Sequence, residues 1–426
     1  MSEIRLPYGT GSLPCRAPEE RIDGIVTSRI CDYVPAGSPD ELVRTALENP
    51  IGSEPLSELA KGKEKVVILA SDHTRPVPSR VIMPQMLSEI RKGNPDAEIT
   101  ILIATGCHRG TRREELIGKF GEEIAETETI AIHDCDDSEM ADLGTLPSGG
   151  PLIVNRLVKE ADLVAAEGFI EPHFFAGFSG GRKSVLPGIA ARKVVLANHN
   201  GAFIADPHSR TGILSDNPIH RDMIYAGEQA GLAFVVNVVL NEQHDVIYAV
   251  AGDMQKAHLA GCEFLESHCR VEAGPSDIVI TSNGGYPMDQ NVYQSVKGMT
   301  AAEAAVKPGG VIIIAAKCED GVGGDSFYQT FADERDLTRM TDGFVATPPE
   351  ETRVDQWESQ ILARVLTRAH VIFVSDLEDE IVRNFQMTPA KDIEGALKAA
   401  DEILGNSYGR ITVIPDGMGV IVKGNS

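Results

Sequence analysis

Residues 171–188 read Glu-Pro-His-Phe-Phe-Ala-Gly-Phe-Ser-Gly-Gly-Arg-Lys-Ser-Val-Leu-Pro-Gly, and they bring glycines, two cations and an imidazole into one turn-rich stretch. Backbone N–H groups exposed by Gly180 and Gly181, with a lysine directly behind, suit an anionic cofactor. The P-loop pattern fails here, because Arg182 precedes Lys183 where that motif needs glycine, and Ala176 replaces its first glycine. Two roles stay open for Lys183 on local grounds. It can bind phosphate as a point charge, which is the simpler reading. Alternatively, crowding by Arg182 favours its neutral amine and hence covalent use.

His108 lies in Gly106-Cys107-His108-Arg109-Gly110, and His173 stands between Pro172 and two phenylalanines. An apolar setting favours a neutral imidazole that can accept a proton. Two such imidazoles facing one pocket could serve opposite faces of a substrate, an arrangement that suits racemisation. His199, in Asn198-His199-Asn200-Gly201, has no nearby carboxylate or histidine cluster, so by itself it cannot complete a metal site. It is either structural or one ligand among several supplied by a cofactor. Arg75, behind Asp72-His73-Thr74 and before Pro76, sits in a loop suited to gripping a carboxylate, or is a surface cation. Further on, Gln294 and Lys297 open a helix after Gly284-Gly285, with Lys297 a candidate second carboxylate contact. Trp357 is the sole tryptophan, a core residue by default and a cleft wall as the alternative.

These residues need elements to position them. Lys65–Ala70, Ile99–Ala104 and Leu163–Ala166 read as buried strands, with helices over about 80–92 and 113–120 between the motif loops. Each strand delivers a polar loop at its carboxyl end, the edge at which open parallel α/β sheets bind ligands. Asp72, Arg75, His108, His173 and Lys183 are therefore expected as neighbours. The rhythm restarts with strands at 277–282, 311–316, 371–375 and 411–415. The fold class expected is α/β, with two domains that are each an open, mostly parallel sheet flanked by helices. A boundary near Ala273-Gly274-Pro275 gives a cofactor-binding domain over 1–270 and a smaller one over 271–426, with the active site in the cleft between them.

Composition narrows the partners. The 426 residues are 42% hydrophobic and carry a net charge of −24, which argues against nucleic acid or an anionic membrane surface. No apolar run approaches the ~18 residues of a membrane span. Seven cysteines without a C-x-x-C pair fit a reduced, cytoplasmic protein.

Together, Ser71–Pro76, Thr105–Gly110, Glu171–Gly177 with Gly180–Ser184, and Asn198–Gly201 resemble the lactate racemase family that uses a nickel-pincer nucleotide. Gln294-Ser295-Val296-Lys297 and Trp357 also fit, so the resemblance spans nearly the whole chain. It implies a racemase or epimerase of 2-hydroxy acids, with lactate the best guess and a longer or different 2-hydroxy acid the alternative. It implies the cofactor pyridinium-3,5-bisthiocarboxylic acid mononucleotide nickel, covalently joined to Lys183, with Asp72, Gly180 and Gly181 around it and His199 as the protein ligand to Ni(II). His108 and His173 match the paired acid/base residues; Arg75, Gln294, Lys297 and Trp357 match substrate-binding positions. Hydride leaves C2 for the cofactor, giving a keto acid, and returns to the other face. Cofactor-biosynthesis enzymes become partners by the same implication. Two rivals from other classes are a nucleotide-phosphate-binding transferase and a non-catalytic hydroxy-acid-binding protein.

Overall fold

The computed structural model describes residues 4–137 and 140–424, and its contacts divide the chain into two compact units. The first comprises residues 30–199 and 208–267, and the second comprises 1–29, 200–207 and 268–426.

The first unit is built on a six-stranded sheet in the order Val246–Gly252, Leu232–Leu240, Leu163–Phe169, Lys65–Ser71, Glu98–Ala104 and Thr129–Ile132. Only the Val246–Gly252 strand runs antiparallel to its neighbour. The central strands are continuous apolar runs because both faces are covered: every residue of Leu163–Phe169 is buried. Helix Ser79–Gly93 covers one face through Ile82, Met83, Met86, Leu87 and Ile90. Chain order reverses between Lys65–Ser71 and Leu163–Phe169, since the next two strands lie on one side of Lys65–Ser71 and the later ones on the other. That reversal opens a crevice at the carboxyl ends of the strands. The loops at 72–76 and 170–188 start on its two sides.

The second unit has an all-parallel sheet ordered Thr388–Ala390, His370–Val374, Val306–Ala315, Ser276–Ser282, Ile411–Ile414 and Ile22–Ile25. Here a single cut at residue 270 does not describe the chain. The Ile22–Ile25 strand completes the sheet edge beside Ile411–Ile414, and Leu6 and Cys15 from the preceding hairpin enter this unit's core. Arg21 is buried and pairs with Asp401 at 2.7 Å. Short strands of alternating burial carry a weaker pattern than the continuous central runs, so these N-terminal residues read from sequence as part of the first domain. Among the described residues, no helix is long and apolar enough to cross a membrane.

Candidate active site

Three loops of the first unit carry the chemistry. The Lys65–Ser71 strand ends at Asp72, which is only 2% exposed yet has polar partners on both carboxylate oxygens. Oδ1 accepts from the Thr74 N–H at 3.1 Å and the Thr74 hydroxyl at 2.7 Å, while Oδ2 lies 2.8 Å from His108 Nδ1. Burial pushes the Asp72 carboxyl upward, but the hydrogen bonds from His108 and Thr74 outweigh it and hold Asp72 below the usual range. An ionised carboxylate at Nδ1 keeps the proton on that nitrogen and leaves Nε2 with its lone pair. The His108 side chain is 47% exposed, so this lone pair belongs to an accessible ring. Asp72, expected around a cofactor, is also engaged with His108. Arg75 stays exposed and is tied to the same loop, its Nη1 donating to Thr74 Oγ1 at 3.1 Å.

The 171–188 segment folds as a tight hairpin, His173 pairing with Gly177, followed by a single helical turn over Gly181–Ser184. Phe175, at the hairpin tip, joins the candidate residues in space. Its ring centroid lies 4.5 Å from His173, 5.1 Å from His199 and 5.9 Å from Lys183 Nζ. His173 Nδ1 accepts the Ala176 N–H at 3.3 Å, which places the neutral ring's proton on Nε2. His199, buried at the end of helix Arg192–Asn198, is held down at about 3 by burial and by the Lys183 ammonium. Its imidazole is therefore neutral at physiological pH, the form that ligates metals.

Arg182 and the glycines act differently from expectation. Arg182 is fully buried, and its guanidinium donates to the carbonyls of Ala176 (2.8 Å), Phe178 (2.7 Å), Ser179 (3.3 Å) and Gly180 (3.2 Å) and to His220 Nδ1 (3.1 Å). It clamps the loop from beneath. Gly181, at φ +52°, sits where a Cβ would meet the His258 ring at 2.9 Å, and its N–H donates to Asn237 Oδ1 at 2.9 Å. A Cβ on Gly180 would meet the Phe169 carbonyl at 2.9 Å. Both glycines thus permit close packing below the loop, and the Gly181 N–H is directed into the protein.

Sequence reasoning missed Phe175, the Asp72–His108 bond, and a polar layer beneath it. Lys119 Nζ donates to Ser71 Oγ at 2.9 Å and is lowered by burial, and Glu167, buried on the central strand, accepts from the Ser79 hydroxyl. The lone acid in Leu-Val-Ala-Ala-Glu-Gly-Phe was the available signal.

In the second unit, Gln294 and Lys297 lie on helix Val292–Ala305, capped by the Asn291 side chain, and Trp357 lies half-buried on helix Gln356–Arg368. These two helices pack together. Tyr293 donates to Asp355 Oδ1 at 2.9 Å and is raised by burial and by the charges of Glu358 and Asp355. Among the described residues, the one set of three potential metal ligands is Asp134, Cys135 and Asp136, which excludes His199.

Comparison with known proteins supplies the family context. Residues 8–212 match the family model described as lactate racemase N-terminal domain, and residues 271–422 match the lactate racemase C-terminal domain. A curated lactate racemase of Thermoanaerobacterium thermosaccharolyticum is 55% identical over 425 residues, covering 99% of this chain and all of the relative. One from Lactiplantibacillus plantarum is 51% identical with the same coverage. The solved lactate racemase apoprotein of T. thermosaccharolyticum superposes with a TM-score of 0.96 at 55% identity, covering 99% of this chain and 100% of that one. A Thermotoga maritima structure at 20% identity and TM-score 0.63, covering 92% of this chain and all of its own, shares the fold.

Proposed function

The chain belongs to the lactate racemase family, and from that premise we propose that it interconverts the two enantiomers of lactate. The observation that carries the reading is the arrangement around Phe175 and Asp72. It bonds one imidazole, His108, to the carboxylate at the end of a central strand and gathers a second imidazole, a lysine and a buried neutral histidine around one phenyl ring.

The family is nickel-dependent, and the residues present fit a nickel-bearing nucleotide attached to the protein. His199 offers a neutral imidazole and belongs to no group of three or more potential protein ligands among the described residues, which suits a metal whose further donors come from a bound nucleotide. Lys183 is close enough for its charge to act on His199, and both flank one phenyl ring. Lys183 would hold the group through its amine and His199 would bind the nickel. When bound, that group supplies a reversible acceptor for the C2 hydride.

The protein's own residues then handle charge and protons. The C2 proton next to an ionised carboxylate is barely acidic, and imidazole is a poor base for it; the hydroxyl proton of a substrate being oxidised is far easier to move. His108, tied by Asp72 at Nδ1, presents a basic Nε2 to that hydroxyl. His173 carries its proton on Nε2 and can hydrogen-bond the carbonyl oxygen of the keto acid; to protonate the returning alkoxide it must first be an imidazolium, with a second proton on Nδ1 in place of the bond from Ala176. The half-reaction that uses His173 as base requires the 3.3 Å bond from Ala176 to open. Arg75 binds the carboxylate, and Gln294, Lys297 and Trp357 are assigned further substrate contacts. Seven free cysteines fit a reducing cytoplasm, where the enzymes that make the nucleotide would be the partners.

Co-expression with those enzymes tests the proposal by intact mass. One mononucleotide adduct should map to the peptide containing Lys183, be absent from Lys183→Ala, and accompany racemisation of L-lactate followed by chiral chromatography. A fully active preparation with unmodified Lys183 sinks it.

A further inference from the structure

Helix Gln356–Arg368 is preceded by Asp355, which is held in the left-handed backbone region at φ +64° and ψ +3°. Aspartate enters that region only at a cost, whereas glycine enters it freely. Asp355 also forgoes the usual work of its type at a helix start, since its side chain accepts no N–H from the first turn. Only its carbonyl begins the helix, accepting from the Glu358 and Ser359 N–H groups at 3.1 and 3.2 Å. The carboxylate instead accepts the Tyr293 hydroxyl, 2.9 Å from Oδ1. An aspartate that gives up both a relaxed backbone and a cap for one bond points to a task for that bond.

Tyr293 is a fixed donor. Its ring stands edge-on to the fully buried Phe327, with centroids 5.4 Å apart, and its N–H donates to the Val322 carbonyl at 3.2 Å. Gly323 lies so close that a Cβ there would meet Tyr293 Cβ at 2.6 Å. The Trp357 side chain is hydrogen-bonded to the same phenol. Tyr293 belongs to helix Val292–Ala305, the helix that carries Gln294 and Lys297. The two helices are joined again about two turns beyond Trp357, where Arg364 Nε and Nη2 donate to the Glu303 carboxylate at 2.8 and 2.7 Å. That clamp holds the helices together but leaves the first turn free to shift. The Asp355–Tyr293 bond fixes the turn itself, two residues before the indole.

We propose that Asp355 is a positioning residue that sets the Trp357 indole for the substrate through its bond with Tyr293. This rests on the reading of Trp357 as a substrate contact, and the test separates the two. Asp355→Gly keeps the left-handed backbone and removes the acceptor, whereas Asp355→Asn keeps both an acceptor oxygen and tolerance of that backbone. In the loaded enzyme, Asp355→Gly should raise KM for lactate about five- to tenfold with kcat within about twofold, and Asp355→Asn should hold both within about twofold of the wild type. Trp357 is the only tryptophan, so emission of the full-length apoprotein reads the indole with no substrate or cofactor present. It should shift to longer wavelength in Asp355→Gly and stay in place in Asp355→Asn. Tyr293→Phe should reproduce the KM rise, and adding Asp355→Gly to it should change KM by less than about twofold more. A wild-type KM or emission in Asp355→Gly, an asparagine variant as impaired as the glycine one, or additive effects of the two substitutions overturns the proposal. Trp357→Phe examines the underlying assignment: an unchanged KM removes Trp357 from the substrate and this role with it, while a raised KM beside a normal Asp355→Gly keeps the contact and strikes out Asp355.

Discussion

Replacing Asp72 by asparagine tests the assignment of this buried carboxylate to His108. Asparagine keeps the volume and can still accept from Thr74, whose N–H and hydroxyl lie 3.1 and 2.7 Å from Oδ1. What changes is the 2.8 Å contact with His108 Nδ1. An amide presents an N–H there, so Nδ1 becomes the acceptor, the proton moves to Nε2, and the ring can no longer take one from the substrate. A hydrogen bond to a charged group is worth about 1.5–3 kcal/mol, and each 1.36 kcal/mol is tenfold in rate. The expected loss in kcat is therefore about 10- to 150-fold. KM for lactate should move by less than about threefold, because both Asp72 oxygens are committed to Thr74 and His108. The assay is initial-rate racemisation of each enantiomer with fully loaded enzyme, with intact mass and nickel content measured on the same sample. A kcat within about threefold of the wild type would falsify the dyad. Normal turnover per loaded molecule with poor loading would return Asp72 to the cofactor, the role expected from sequence.

Two further outcomes concern the metal and the chemistry. His199→Ala should remain folded by circular dichroism but lose most of its nickel by elemental analysis, since the buried neutral imidazole is the protein donor we propose; undiminished nickel with full activity excludes it. Lactate deuterated at C2 should racemise with the label largely retained if, as proposed, the hydride is returned to the same carbon, whereas washout into solvent at the rate of racemisation means direct deprotonation.

Much of the fold was legible because both faces of each central strand are covered. Lys65–Ser71 and Glu98–Ala104 are apolar runs that read as strands without knowledge of their partners, and the motif loops follow from where those runs stop. Residue types at 105–110, 171–188 and 198–201 also pointed to chemistry, since Gly-Gly-Arg-Lys and an isolated Asn-His-Asn-Gly have little use in a plain surface loop. The Ile22–Ile25 edge strand was not legible, because its place depends on Ile411–Ile414, a segment from the other end of the chain. The same holds for the site's working contacts. Whether Asp72 meets a cofactor or His108 depends on two adjacent parallel strands ending level with each other, Ser71 opposite Ala104. Arg182 looked like a neighbour that would tune Lys183, and only burial beneath the hairpin commits its donors to four carbonyls. Phe175 lies inside the 171–177 motif, but nothing in its type announced a role. Its importance lies in distances to rings and a charge on other segments, so sequence determined which chemical groups were available, while packing decided which of them meet and in what protonation state.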